Sequence, residues 1–314
     1  VRAIVLNEFG GPEVLRETDV QEPEPRPAHR LLRVRAAGLN YADIHVRQNS
    51  YLAPVTLPYI PGNEVIGVDD DGRRVVALTT GGGYAEAALA HRSTMWEVPE
   101  ELTDHQALAL TLQGHTAWHL LHTCLNLTDR DTVVIPAAAG GVGSLAVQLA
   151  AQAGARVVAL ASTPERRDLA ARLGAQIVID STAEDLTGAV LDAANGPVSA
   201  ALEMTGGRTH EQLLAALAPR GRMAVYGYAG GAPAPSDGRL LLQRSLTVTG
   251  FWLPSLYAVR GALDTSAKEL FAKAVAGDLE VITGGEWPLA QAADAHRALE
   301  ARTVTGKGIL RVSN

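Results

Sequence analysis

From Thr132 onward the chain alternates short aliphatic runs with helical stretches, and this alternation constrains the fold more than any other feature. Strands are predicted at Thr132–Ile135, Arg156–Ala161, Ile177–Ile179, Ala200–Glu203, Arg222–Tyr226 and Leu246–Thr249. Helices are predicted between the first five, at Ser144–Gln152, Pro164–Leu173, Ala183–Ala194 and Thr209–Leu217, with Gly174, Gly196 and Gly221 near their stops. Strands that alternate with helices imply an α/β unit, a parallel sheet covered on both faces. Six strands at this spacing fit a doubly wound dinucleotide-binding fold. The interval Gly227–Ser245 reads as loop, weakly helical at best.

The remainder has a different texture. Arg2–Leu6, Leu31–Ala37 and Arg73–Leu78 read as strands, and Asp71-Gly72 is a hairpin signal. Gln21–His29, the only Pro-rich stretch, is expected to be an extended connection. Around Leu102 the pattern turns helical, through Ala107–Leu112 and Ala117–Leu121. After Leu253 come one clear helix, Ala267–Ala276, and a closing strand, Gly308–Val312, which together are expected to fold back onto the N-terminal part. At 314 residues, two domains are the default. A formal net charge of −7 argues against a nucleic-acid surface. The longest charge-free run, Thr132–Ala155, is broken by Pro136 and four glycines, so no membrane span is expected. The opening Val-Arg-Ala-Ile-Val-Leu reads as a strand and not as a secretory signal. The single cysteine, Cys124, can make neither an internal disulfide nor a Cys-rich zinc site. A cytoplasmic enzyme is the expectation.

The segment from Val133 to Ser144, Val-Val-Ile-Pro-Ala-Ala-Ala-Gly-Gly-Val-Gly-Ser, is a strand, a small-residue turn and a helix start. Small residues let the main chain approach a pyrophosphate, and the helix N-terminus offers it free N–H groups. Ala138 stands where the usual glycine pattern begins. Sites that take NAD place an acid after the second strand, about 20 residues on, to hold the ribose 2′-hydroxyl. Here the chain reads Ala161-Ser162-Thr163-Pro164-Glu165-Arg166-Arg167, with no acid at the strand end. Ser162 and Arg166, with Arg167 as a further contributor, are expected to hold a 2′-phosphate, which makes NADPH the expected cofactor. Glu165 would oppose this if it pointed inward.

Several short stretches then add up to a resemblance. Gly38-Leu39-Asn40-Tyr41-Ala42-Asp43, Pro61-Gly62-Asn63-Glu64, Gly82-Gly83-Tyr84-Ala85-Glu86, Gln113-Gly114-His115-Thr116-Ala117, Ala138–Gly143, Leu173-Gly174-Ala175 and Gly306-Lys307-Gly308-Ile309-Leu310 follow in order from end to end. In these the chain resembles the zinc-independent, zeta-crystallin-like quinone oxidoreductases of the medium-chain dehydrogenase/reductase superfamily. The resemblance implies a GroES-like β-rich catalytic domain, residues 1–112 and 253–314, around a six-stranded Rossmann domain, residues 113–252. In zinc-dependent relatives a Cys and a His ligate metal at the positions matching Asn40 and Asn63. Amides are poor zinc ligands, so no metal is expected. His115, His119 and His122 have a spacing that can bind metal, but no acid lies close in sequence, and packing is expected instead.

Carried over residue by residue, the resemblance places Asn40 and Thr116 near the cofactor. It puts Gly140, Gly141 and Val142 on the pyrophosphate, and Ser162 and Arg166 on the adenosine phosphate. Ser181 stands where a tyrosine often helps. Gly206, Tyr226, Gly227, Phe251, Trp252 and Leu253 match segments lining the cofactor. The implied chemistry is hydride transfer from NADPH to a quinone or an α,β-unsaturated carbonyl. The accompanying proton would come from His45, from Tyr51 or from water. Two alternatives stay open: an enoyl-thioester or biosynthetic tailoring reductase, and a non-enzymatic NADPH-binding protein, crystallin-like or RNA-binding. The strand Leu246–Gly250 should end its sheet, and relatives usually dimerise through such an edge, so a homodimer is expected.

Overall fold

The computed structural model describes residues 1–312 and divides into two compact units, Val1–Gln113 with Tyr257–Asn314, and Gly114–Leu256. The first unit opens with the antiparallel pair β1 (Arg2–Val5) and β2 (Arg16–Asp19). The Pro-rich stretch Gln21–His29 then runs without regular structure until its last residue opens β3 (His29–Gly38). A short helix, α1 (Tyr41–Arg47), follows; its seven residues carry no periodic signal that sequence reading could catch. Strands β4 (Glu64–Asp69) and β5 (Arg74–Leu78) form the hairpin announced by Asp71-Gly72. After β6 (Ala87–His91) and β7 (Met95–Glu97) comes α2 (Asp104–Ala109), capped by Thr103 and Gln106 in reciprocal hydrogen bonds.

The second unit begins near α3 (His115–His119). Where two plain helical stretches are predicted, the chain instead intercalates single π turns, Leu110–Gly114 and Leu120–Cys124. The Rossmann run is then β8 (Thr132–Ile135), α4 (Gly141–Gln152), β9 (Arg156–Ala161), α5 (Pro164–Arg172), β10 (Ile177–Asp180), α6 (Leu186–Ala194), β11 (Val198–Glu203), α7 (Gly207–Ala216), β12 (Leu217–Val225), α8 (Gly238–Arg244) and β13 (Thr247–Gly250). The boundaries that moved have local causes. Helix α6 starts at Leu186, three residues later than predicted, because the Asp185 carboxylate accepts the Gly188 N–H at 2.8 Å. It stops at Asn195, which takes the left-handed conformation itself ahead of Gly196. Strand β12 begins at Leu217, earlier than predicted, through an irregularity in its pairing with β11. The all-parallel order is β10-β9-β8-β11-β12-β13, so β13 is an edge.

The chain returns to the first unit through α9 (Asp264–Ala276), β14 (Thr283–Pro288), α10 (Ala292–Glu300) and β15 (Lys307–Arg311). Strand β15 pairs antiparallel with β3 and parallel with β14, so both chain ends build one seven-stranded sheet. Each unit has its own core. Leu6, Leu32, Val65, Tyr84 and Leu310 are buried in the first; Val134, Val158, Val190, Leu213 and Met223 are buried in the second. A fully buried aliphatic side chain contributes about 1.5–3 kcal/mol. Among the described residues, no helix is long and apolar enough to cross a membrane.

Candidate functional site

Within the second unit, the segments singled out from the sequence fall at one edge of one sheet. Gly140, Gly141 and Val142 follow β8, Ser162 follows β9 and Ser181 follows β10. Gly206 lies beyond β11, Tyr226 and Gly227 follow β12, and Phe251, Trp252 and Leu253 follow β13. These are the carboxyl ends of the strands. The order of connection reverses between β8 and β11, the place where open α/β sheets take ligands. Thr116 is buried in α3, a helix whose His119 stacks on Phe251 with ring centroids 5.9 Å apart.

The turn after β8 is shaped for an anion. Ala137 adopts a positive φ of 48°. A Cβ on Gly143 would stand 2.2 Å from the Ala137 carbonyl oxygen, so only glycine lets helix and turn approach this closely. Gly140, at the N-cap of the twelve-residue α4, has no side chain to cap the first-turn N–H groups. Those donors and the helix dipole suit a pyrophosphate. After β9, Ser162 is exposed and Arg166 is half-buried in the first turn of α5. Arg167 is turned elsewhere: it donates to the Ala161 carbonyl at 3.2 Å and pairs with Asp180 at 3.0 Å. Glu165 is exposed, and hydrogen bonds from its own N–H and from Thr163 hold its carboxyl below the usual range.

The first unit holds a buried polar network around Asn40, which precedes α1. The Asn40 N–H donates to Asp43 Oδ2 at 3.0 Å, while its side chain turns away, its Nδ2 donating to Glu64 Oε1 at 2.8 Å. Lys307 Nζ donates to Glu64 Oε1, to Asn40 Oδ1 at 3.1 Å and to the Leu39 carbonyl at 3.3 Å. Both members of this Lys307–Glu64 ion pair are fully buried. Gly38 makes room for it, since a Cβ there would lie 2.2 Å from Glu64 Oε1. Asp43 also accepts from Asn63 Nδ2 and the Tyr84 hydroxyl, each at 3.1 Å, and burial pushes its pKa up to about 7. The Tyr84 hydroxyl meets His296 Nε2 at 3.3 Å, and Arg47 donates to His296 Nδ1 at the same distance. Burial holds His296 down at about 3, hence neutral, so one direction of donation runs from Arg47 through His296 and Tyr84 to Asp43.

His45 is buried in α1, with Nδ1 3.1 Å from the Ser50 hydroxyl, and desolvation lowers its pKa. Tyr51 is half-buried against the same core. The three spaced histidines have separate partners. His119 Nδ1 meets Thr123 Oγ1 at 2.9 Å, and His122 stacks on Trp118 with ring centroids 4.3 Å apart. Burial pushes His115 down to about 3 and His119 to about 4. Among the described residues, the one group of three ligand-type side chains close enough to share a metal is Asp69, Asp70 and Asp71, which Arg30 and Arg73 already neutralise. Sequence reasoning quoted Glu64, Tyr84, Gln113 and Lys307 only as parts of short motifs, and passed over Arg47 and His296. A charged residue at the start of an apolar run in a strand, as Glu64 is before Val65-Ile66 and Lys307 before Gly308-Ile309-Leu310, was the available signal.

Comparison with known proteins bears on both units. A family model described as zinc-binding dehydrogenase matches residues 141–268, and one described as alcohol dehydrogenase GroES-like domain matches residues 26–100. A quinone oxidoreductase of Pseudomonas aeruginosa is 35% identical, covering 96% of this chain and 97% of its own. A mycobacterial protein solved in complex with NADPH superposes with a TM-score of 0.94 at 34% identity, over 99% of each chain. Escherichia coli quinone oxidoreductase, also complexed with NADPH, superposes with a TM-score of 0.94 at 28% identity, over 99% of this chain and 100% of its own.

Proposed function

This chain belongs to the quinone oxidoreductase family of medium-chain dehydrogenases/reductases, and from that premise we propose that it transfers hydride from NADPH to a quinone. The turn after β8 carries the reading: a strand, a glycine-only approach and an uncapped helix start fit a dinucleotide pyrophosphate. Ser162 and Arg166 bind the 2′-phosphate, with no carboxylate at the end of β9 to repel it. Ser181, Gly206, Tyr226, Gly227, Phe251, Trp252 and Leu253 line the cofactor from the remaining strand ends, Thr116 contacts it, and Asn40 serves its nicotinamide end. NADPH, when bound, supplies the hydride. The oxyanion left on the acceptor takes a proton from Tyr51 or water; burial favours the neutral form of His45, whose ring N–H can donate a hydrogen bond to the oxyanion but is too weak an acid to give up its proton.

The reaction needs no zinc. The positions where zinc-dependent relatives carry thiolate and imidazole hold Asn40 and Asn63, and both amide NH2 groups face carboxylates. Stoichiometric zinc in the purified active protein, by elemental analysis, would contradict this. We place the enzyme in the cytoplasm, where the free Cys124 stays reduced. Recovery of the tagged protein in the membrane or secreted fraction would overturn that placement. The edge strand β13 pairs with its equivalent in a second copy to give a homodimer.

The deciding experiment titrates the protein with NADPH and NADH by fluorescence, then adds 1,4-benzoquinone. Wild type binds NADPH more tightly and turns the quinone over. Arg166→Ala weakens NADPH about tenfold, the scale of one charge-assisted hydrogen bond, and leaves NADH within about twofold. Equal loss for both nucleotides would show that Arg166 does not read the 2′-phosphate, and binding of neither would end the proposal.

A further inference from the structure

We infer that Gln113 is a binding residue for this reaction, presenting its side-chain carbonyl oxygen to an N–H or O–H donor carried by the bound reactants. The inference rests on the NADPH–quinone reading and adds to it a residue and a polarity. It starts from groups whose hydrogen-bonding sense is fixed. A main-chain carbonyl only accepts and an ammonium only donates, with three N–H bonds. Lys307 spends its three on the Leu39 carbonyl, on Glu64 and on the Asn40 side chain. The Asn40 atom facing the ammonium is therefore its oxygen, and its NH2 rests on the Glu64 carboxylate at 2.8 Å.

Gln113 approaches that same Asn40 oxygen at 3.3 Å and must do so with its NH2. Its own Oε1 is left as the outer end of the chain. That oxygen is buried and has no hydrogen-bond partner among the described residues. The backbone beside it is pinned, since the Leu112 N–H donates to Glu64 Oε2 at 2.8 Å, and Gln113 itself sits in the π turn Leu110–Gly114, a distortion frequent at functional sites. Glu64 and Lys307 thus set the direction of a relay of side-chain amides that ends in an acceptor. Buried acceptors without a partner are rare and destabilising. The other two such atoms, Glu203 Oε2 and His210 Nδ1, face each other at 3.5 Å. Gln113 Oε1 has no such counterpart. The reacting ends of the two reactants carry two donors: the carboxamide N–H of the nicotinamide and the O–H of the reduced quinone. Either satisfies the same oxygen.

Full-length Gln113→Leu and Gln113→Met remove the acceptor at similar size. Each deletes an unpaired buried acceptor together with the NH2 that donates to Asn40 Oδ1, and that oxygen keeps its bond from Lys307, so melting temperature stays close to that of wild type, which separates a lost contact from a lost fold. Three constants are read for each protein: the Kd of NADPH, the Kd of the analogue whose carboxamide NH2 is replaced by methyl, and the inhibition constant of hydroquinone. A carboxamide contact weakens NADPH about tenfold, equivalent to about 1.4 kcal/mol, and leaves the analogue unchanged. A quinol contact leaves both nucleotides unchanged and weakens hydroquinone by a similar factor. If all three constants stay within about twofold of a wild type that binds NADPH and reduces quinone, the role of Gln113 is overturned and the enzyme's function stands. A wild type that binds no NADPH overturns the function and the inference with it.

Discussion

Replacing Lys307 with methionine should be among the most destabilising single changes available in the first unit. Lys307 and Glu64 are both fully buried, and the carboxylate also accepts from the Asn40 side chain and the Leu112 N–H. Lys307→Met keeps volume but leaves Glu64 as a buried charge without a counter-ion. Breaking a buried pair in this way costs about 3–5 kcal/mol, whereas neutralising both partners is often close to neutral. For a unit of this size each kcal/mol moves the melting point by about 2–4 °C, so the single variant should melt roughly 6–20 °C lower. Adding Glu64→Gln should recover most of the loss, because an amide at position 64 can still accept from the Leu112 N–H. Tryptophan fluorescence reads the unit selectively. Trp96 and Trp287 belong to it, while Trp118 and Trp252 belong to the other and can be replaced by phenylalanine in every protein compared. A single variant within about 1 kcal/mol of wild type, or a double variant no more stable than the single, would refute the reasoning.

Two further outcomes follow from titration and from the sheet edge. His115 and His296, held near 3, and His119, held near 4, stay neutral in the fold, so their contribution is fully present above the ordinary pKa of 6.5 and is lost as pH falls through the folded values. Asp43, raised to about 7 from 3.8, acts oppositely: its contribution is present below 3.8 and lost as pH rises to 7. Three groups outweigh one, so the melting temperature should rise between about pH 4 and pH 6.5, and Asp43→Asn should steepen that rise; a shallower slope in the variant would contradict the assignment. Light scattering at micromolar concentration should give the mass of a dimer, and proline at Val248, in the middle of β13, should shift it to monomer. A monodisperse wild-type monomer would remove the edge-pairing proposal.

The second unit was legible from sequence because its order is local. Each strand of the parallel sheet is a continuous aliphatic run, and the helices between them carry their own punctuation at glycines such as Gly174 and Gly196. What failed there failed by a few residues, where a cap or bulge decided the boundary. The first unit was legible only in outline. Helix α1 is too short to show a period, and the network around Asn40 joins residues from β4, α1, β15 and the π turn. Nothing in the one-dimensional spacing of Glu64, Gln113 and Lys307 says that they meet. Short motifs flagged those positions as unusual without revealing their chemistry, because a buried charge declares itself only once its counter-ion has been placed.

The seven-stranded sheet also sets an order of events during synthesis. Strand β3 leaves the ribosome long before its neighbour β15, with the whole Rossmann run between them. Until β15 follows, Glu64 has no ammonium to meet, and burying it would strand a carboxylate in an apolar interior. The Rossmann run, contiguous in sequence, has every strand it needs before β15 is made. The nascent chain can therefore complete its Rossmann sheet while β3 still lacks its partner, and the arrival of one lysine on β15 is what gives Glu64 its counter-ion.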